Sequence, residues 1–234
     1  MLENFYNAIL NLIYPARCGF CNEITGTKQF ICDNCRYKLK QEYTNRCVYC
    51  GKTTHLANVC RECSGKKIYY DKLVFFNEYT KEFREKIHSY KFHDKKFYYN
   101  FFAELIYDKL CGIEADIIIP VPVSRERLKE RGYNQSALIG EKLAKDMKIE
   151  YNGEILIKTR NSEKQSMQSF LKRRQSVKNI FQITDILEIR GKKAILIDDV
   201  FATGSTANEC SKELIKAGAK SVIVAVISIS HTLK

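Results

Sequence analysis

The sequence predicts an α/β fold, a parallel sheet whose strands alternate with helices, preceded by a small cysteine-rich domain. Three observations carry this. Strand-like segments at residues 72–78, 116–123, 195–197 and 221–227, the last of them largely β-branched, alternate with stretches of helical periodicity. Four Cys-x-x-Cys pairs crowd the N-terminal part of the chain. Finally, residues 194–206, Ala-Ile-Leu-Ile-Asp-Asp-Val-Phe-Ala-Thr-Gly-Ser-Thr, run from a strand of the doubly covered kind through two acids into a hydroxyl-rich turn that opens a helix. The boundary between the two domains falls between residues 68 and 69, giving 1–68 and 69–234.

In chain order, Leu2, Phe5, Ile9, Leu12 and Ile13 recur at helical spacing ahead of Pro15 and predict an amphipathic helix. Without the basic face that interfacial helices favour, it is expected to pack on its own domain, with a membrane surface or a partner as the alternative. The pairs Cys18/Cys21, Cys32/Cys35, Cys47/Cys50 and Cys60/Cys63 have the spacing that lets two thiolates grip one tetrahedral Zn²⁺. Eight such ligands make two structural sites with no open position for substrate. Sequential pairing costs less loop closure than an interleaved cross-brace; the spacing allows both. A disulfide framework would need an oxidising compartment, and Glu3, Asn4, Asn7 and Asn11 are not the start of a signal peptide. About 50 residues with few large apolar side chains bury too little surface alone, so metal binding would supply the folding free energy.

Residues 72–78 form the first strand, and Phe102, Leu105, Ile106 and Leu110 mark a helix. Strand 116–123 leads into a basic turn at 125–131, and Ile139, Leu143 and Met147 stripe the helix that follows. The Ser-, Gln- and Lys/Arg-rich segment 159–181 reads as a loop or lid, or as a solvated linker. After strand 195–197, the Thr206-to-Glu209 spacing is that of a capping box. Ala207, Cys210, Leu214 and Ala217 form that helix's apolar face and Gly218 its stop. Strand 221–227 closes a right-handed βαβ crossover.

Asp198 and Asp199 stand at the carboxyl end of a buried strand, where open α/β sheets bind ligands. As acceptor-only groups they suit sugar hydroxyls. Free N–H groups at 203–206, with the helix dipole behind them, suit a phosphate. Adjacent acids at such a place are costly to keep without a ligand or cation.

This stretch resembles the 5-phosphoribosyl-1-pyrophosphate (PRPP) signature of type I phosphoribosyltransferases. The resemblance implies a type I phosphoribosyltransferase-like parallel sheet, with Asp198 and Asp199 as the catalytic acids on the ribose hydroxyls. Ala202, Thr203, Gly204, Ser205 and Thr206 would take the 5′-phosphate, although Ala202 stands where many members have a further Thr. Pro15-Ala-Arg-Cys18, the later cysteine pairs, Tyr90-Lys91-Phe92, Ile119-Pro-Val-Pro-Val-Ser124, the segment from Arg127 to Gln135, Arg173-Arg174 and Asp198-Asp199 extend the likeness to nearly the whole chain. Together they resemble the ComF family of competence-associated phosphoribosyltransferase-like proteins. That likeness implies PRPP with Mg²⁺ as ligand, a pyrophosphate loop that includes Val123, Ser124 and Arg125, and a mobile loop over residues 159–181. It also implies a cytoplasmic role in uptake of single-stranded transforming DNA, alongside DNA-uptake proteins such as a ComF helicase at the inner face of the membrane. A salvage phosphoribosyltransferase acting on an unidentified base or amine is the alternative, and a zinc scaffold with a vestigial pocket the third.

The formal net charge is +12, which two four-thiolate zinc sites would reduce by about 2 each. The excess at Lys91, Lys95 and Lys96, at 125–131 and at 158–178 suits a polyanion, though charge runs are also common solvated faces. Tyr90, Lys91, Arg160, Lys172, Arg173 and Arg174 are the candidates for closing the lid or holding nucleic acid. No apolar run reaches the roughly 18 residues of a membrane span.

Overall fold

A computed structural model describes residues 15–26, 29–40, 43–54, 58–92, 96–159 and 180–230. The N-terminal stripe Leu2 to Ile13, Lys95, and Arg160, Lys172, Arg173 and Arg174 of the lid lie outside the described residues.

The elements in chain order are α1 (Asp33–Leu39), α2 (Arg61–Ser64), β1 (Lys72–Glu78), α3 (Lys81–Phe92), α4 (Tyr98–Leu110), β2 (Ile117–Pro120), α5 (Arg125–Arg131), α6 (Gln135–Met147), β3 (Glu150–Tyr151), β4 (Leu156–Lys158), β5 (Phe181–Ile183), β6 (Lys193–Phe201), α7 (Ser205–Lys216) and β7 (Ser221–Ile229). The main sheet has the order β1-β7-β6-β2-β3, every pair parallel. Its strands are covered on both faces: Ile118, Ile195, Ile197 and Ala225 join a core with α3, α4 and α6. Ile117, Ile119, Leu196 and Val224 join another with α7. An antiparallel pair, β4 with β5, brackets residues 159–180.

The strand order reverses between β6 and β2, since the chain leaves β6 for β7 on one side and β2 for β3 on the other. Pairing of β2 with β6 ends at Pro120 and Ile197, whereas β7 follows β6 to Phe201. The sheet therefore splits where Asp198 begins, the crevice in which such sheets take ligands.

Two local expectations are corrected. Residues 125–131 form a helix in place of a basic turn. Ser124 caps it, accepting from Arg127 N at 3.4 Å, and Gly132 closes it at φ 75° with its N–H on Leu128 O. None of its residues is buried, so no apolar stripe marked it. The capping box is also absent: α7 starts at Ser205, and its N-cap is Gly204 at φ 73°, which has no side chain to cap it; the Thr203 hydroxyl instead accepts from Ser205 N at 3.4 Å. Glu209 instead pairs with Lys212 at 3.0 Å. Gly218, at φ 94°, does end α7.

The cysteine-rich segment forms two similar ribbons. In each, a first knuckle lies in a short antiparallel bridge, Arg17 with Ile24 and Arg46 with Thr53, and a second opens a helix, with Cys32 before α1 and Cys60 before α2. Both ribbons are built onto the sheet domain. Gly19 sits so close to Phe101 of α4 that a Cβ there would lie 2.5 Å from the ring, and Arg36 bridges Glu104 and Asp108. In the second ribbon, Val48 O accepts from Leu73 N of the sheet's edge strand at 2.8 Å, and Tyr70 donates its hydroxyl to Tyr49 O at 2.8 Å. The ribbon thus satisfies part of an edge that would otherwise be open to pairing.

Candidate functional site

The eight thiols gather as Cys18, Cys21, Cys32 and Cys35 in one group and Cys47, Cys50, Cys60 and Cys63 in the other, with the sulfurs of each group within 4.8 Å of one another. This is the sequential pairing, and it excludes the cross-brace. Four sulfurs at such separations fit tetrahedral Zn²⁺. Backbone N–H groups reinforce the fit: Phe20 N donates to Cys18 Sγ at 3.4 Å and Cys60 N to Cys47 Sγ at 3.3 Å. Burial pushes both thiols up, but the backbone donors outweigh it and leave Cys18 and Cys47 at about 7. Four protein ligands at each site leave no open position, which suits a structural Zn²⁺.

The second site gathers at the split in the sheet. Asp199 is buried and Asp198 partly so. Burial, and then the neighbouring Asp199 carboxylate, raise the Asp198 carboxyl to about 7, against the pull of the Asp199 N–H, Lys91 and Ser136. Ser136, in the first turn of α6, donates its hydroxyl to Asp198 Oδ1 at 3.2 Å. Lys91, near the end of α3, meets Asp199 Oδ1 at 2.8 Å and Oδ2 at 2.7 Å.

Beyond the acids the chain turns through Ala202, Thr203 and Gly204 into α7. Gly204 is required twice over, by its positive φ and because a Cβ would lie 2.5 Å from the Phe201 ring. Gly204 offers no side-chain cap, Ser205 N donates to Thr203 Oγ1 at 3.4 Å, and the rest of the first turn's N–H groups stand at the positive end of the helix dipole. The hydroxyls of Thr203 and Ser205 lie 3.1 Å apart beside them. A cavity of about 800 Å³ opens from this turn toward the second ribbon, its far wall including Lys66, Ile68 and Tyr70. Asn208 of α7 ties that wall down, accepting from Tyr69 N at 2.9 Å and donating to Lys67 O at 3.0 Å.

On the other side of the acids, β2 runs into Val123, Ser124 and Arg125. Asn134 Nδ2 holds this loop through Val121 O at 3.1 Å, and Val121 N donates to Ile197 O at 2.9 Å, one residue before Asp198. Arg125 is exposed at the start of α5, and the hydroxyl oxygen of Ser124 is occupied as that helix's cap.

Tyr90 cannot stack on a base. It is fully buried at 0% exposure, packed against Phe102 and Tyr133, and its hydroxyl donates to Gln135 O at 2.9 Å. It lies on α3 with Phe83 and Ile87, a core-facing stripe that a reading of Tyr90-Lys91-Phe92 as surface overlooks. Its neighbour Lys91 points from the same turn to Asp199. Ser136 and the wall formed by Lys66 and Tyr70 were not anticipated as parts of the site. Ser136 follows the Gly132-Tyr133-Asn134-Gln135 motif directly, which is the one local signal that could have drawn attention to it.

Comparison with known proteins gives two domain matches. Residues 9–64 match the double zinc ribbon domain, and residues 134–230 the phosphoribosyl transferase domain. Competence protein F of Haemophilus influenzae is 29% identical over 95% of this chain and 97% of its own length. The DNA utilization protein YhgH of Escherichia coli is 28% identical over 91% and 96%, respectively. Competence protein ComFC of Bacillus subtilis is 30% identical over 80% of this chain and 79% of its own.

Proposed function

The chain belongs to the ComF family of competence proteins, and from that premise we propose that it binds PRPP at the split in its sheet and serves the handling of single-stranded DNA. The observation that carries the reading is the continuity of Asp198, Asp199 and the uncapped start of α7 along one turn of chain. Two acceptor groups followed by a cluster of N–H and hydroxyl donors have the polarity of a sugar hydroxyl pair followed by a 5′-phosphate. The loop at Val123, Ser124 and Arg125 would face the pyrophosphate. Mg²⁺ would be held chiefly by ligand and water oxygens, as its preference for its own hydration shell dictates.

The names of the relatives support the DNA side of the proposal, as do the exposed cations of α5, Arg125, Arg127 and Lys129. Residues 164–178 would add to it. An uptake helicase is the partner this role implies. No helix among the described residues is long and apolar enough to cross a membrane.

The cavity between the α7 turn and the second ribbon favours one further reading, transfer of the phosphoribosyl group to an acceptor held there. Loss of pyrophosphate develops positive charge at the sugar, and the site's task would be positional and electrostatic.

Calorimetric titration of the zinc-loaded protein with Mg²⁺ and PRPP, with ribose 5-phosphate and with single-stranded DNA separates these contributions. Binding of PRPP that is lost in the Asp198→Asn/Asp199→Asn variant, with the fold retained, is the expected result. Unchanged PRPP affinity in that variant removes the site assignment. Turnover of PRPP with a small acceptor, without DNA binding at low salt, selects the transferase.

A further inference from the structure

Lys91 engages both oxygens of Asp199 while the two side chains are 20% and 12% exposed. An acid that is to orient a sugar hydroxyl must turn a lone pair to the ligand, yet one lone pair on each of these oxygens is held by an internal cation. The surroundings explain how that cation could be released. Arg131 lies over the Phe92 ring at 4.8 Å, donates to Gln135 Oε1 at 3.0 Å, and has Asp199 among the charges acting on it. Arg131 Nε and Gln135 Nε2 are buried with no partner, although Gln135 is only 1% exposed. Buried donors are rarely left unpaired. Beside the Lys91–Asp199 pair, where Gln135 O accepts from Tyr90, a second cation and two unfilled buried donors have the sign and donor chemistry of an anion site. It adjoins the Val123 to Arg125 loop through Asn134.

We infer that Lys91 is a displaceable counter-ion: it neutralises Asp199 in the empty site and passes to a pyrophosphate oxygen when sugar hydroxyls engage that acid, with Arg131 and Gln135 completing the anion's shell. The inference rests on the PRPP reading above. It follows from the cost of leaving Asp199 buried and unpaired before the ligand arrives. A lysine suits the exchange, because its flexible four-carbon stem carries a compact charge between two nearby acceptors without the fixed fork of a guanidinium. Asp199 lies toward the carboxyl end of β6, and the Val123 to Arg125 loop follows the carboxyl end of its neighbour β2. Lys91 is thereby a ligand-binding residue for the pyrophosphate half of the ligand and not for the ribose 5-phosphate half.

The test compares wild type, Lys91→Gln and Lys91→Arg by titration of zinc-loaded protein with Mg²⁺ and PRPP and, separately, with ribose 5-phosphate. Lys91→Gln should weaken PRPP binding by about tenfold to a hundredfold, the range for a charge-assisted hydrogen bond. Ribose 5-phosphate affinity should be unchanged or tighter, because Asp199 is then free, and Lys91→Arg, whose fork would stay on both Asp199 oxygens, should recover only part of the PRPP affinity. Equal losses for both ligands would mark a purely structural pair, and unchanged PRPP affinity a counter-ion that never moves; either overturns the inference while leaving the PRPP site standing. Wild type that binds neither ligand removes both together. Should Lys91→Gln not fold, Gln135→Leu poses the same question with the ion pair intact, and a loss not confined to PRPP sinks the proposal.

Discussion

Ser136 Oγ donates to Asp198 Oδ1 at 3.2 Å across 62 residues of chain, joining the first turn of α6 to the acid at which the sheet splits. That bond, with Lys91 on the adjacent acid, keeps two neighbouring carboxyls in a place where burial opposes their charge.

The raised Asp198 carboxyl gives a pH dependence with opposite signs for binding and for stability. Binding of ribose 5-phosphate should weaken as pH falls through about 7, where Asp198 gains a proton. Stability runs the other way. The folded value lies above the ordinary 3.8, so the folded state holds the extra proton between about pH 4 and 7 and loses stability as pH rises across that window. Asp198→Asn should flatten both profiles, checked by calorimetry and by urea midpoints at pH 4.5 and 8. A midpoint for Asp198→Asn that falls at pH 8 would contradict this account of the acid.

Removal of zinc should be felt selectively in the sheet. Elemental analysis is expected to find two Zn²⁺ per chain, one for each sulfur group. Under strong chelation the amide of Leu73, which depends on Val48 of the second ribbon, should lose protection from hydrogen exchange. The central strand around Ile195 and Leu196, buried at 0% exposure, should keep it. Simultaneous loss at all three amides would show that the sheet does not fold without its ribbons.

Gly204→Ala should damage both stability and phosphate binding. A left-handed φ costs an L-residue about 1–2 kcal/mol, and the added Cβ meets the Phe201 ring at 2.5 Å. The urea midpoint should fall, and affinity for inorganic phosphate should fall with it as the first turn of α7 shifts. Retained phosphate affinity in a destabilised variant would separate the turn from the anion site.

Binding of single-stranded DNA should show a salt dependence set by its phosphate contacts, with a slope near −0.7 per contact. Replacing Lys172, Arg173 and Arg174 by Ala should flatten that slope by about two units. Tyr90→Phe should leave DNA affinity untouched while lowering stability by about 1 kcal/mol, the net value of its hydrogen bond to Gln135 O. A marked loss of DNA affinity in Tyr90→Phe would restore this residue to the interface.

The sequence by itself determined four of the main sheet's five strands, the sulfur sets and the order acid, acid, hydroxyl-rich turn, because each is written in residues adjacent along the chain, whereas the short strands β3, β4 and β5 went unread. Ile195 to Ile197 read as a doubly covered strand since both faces are apolar, and each Cys-x-x-Cys pair reads as half a metal site since its spacing alone brings two sulfurs together. Helices α3 and α5 were not legible: α5 buries nothing, and the stripe of Phe83, Ile87 and Tyr90 is interrupted by charge. Only the tertiary structure decided which side of Tyr90-Lys91-Phe92 faces the core, sending Tyr90 inward and Lys91 to Asp199, a partner 108 residues away. It also decided that Ser136 serves Asp198 and that the second ribbon walls the cavity beside the turn at Thr203 and Gly204. The reason is physical: periodicity along a chain reports which face is buried, whereas a polar side chain's partner depends on which elements meet across the core.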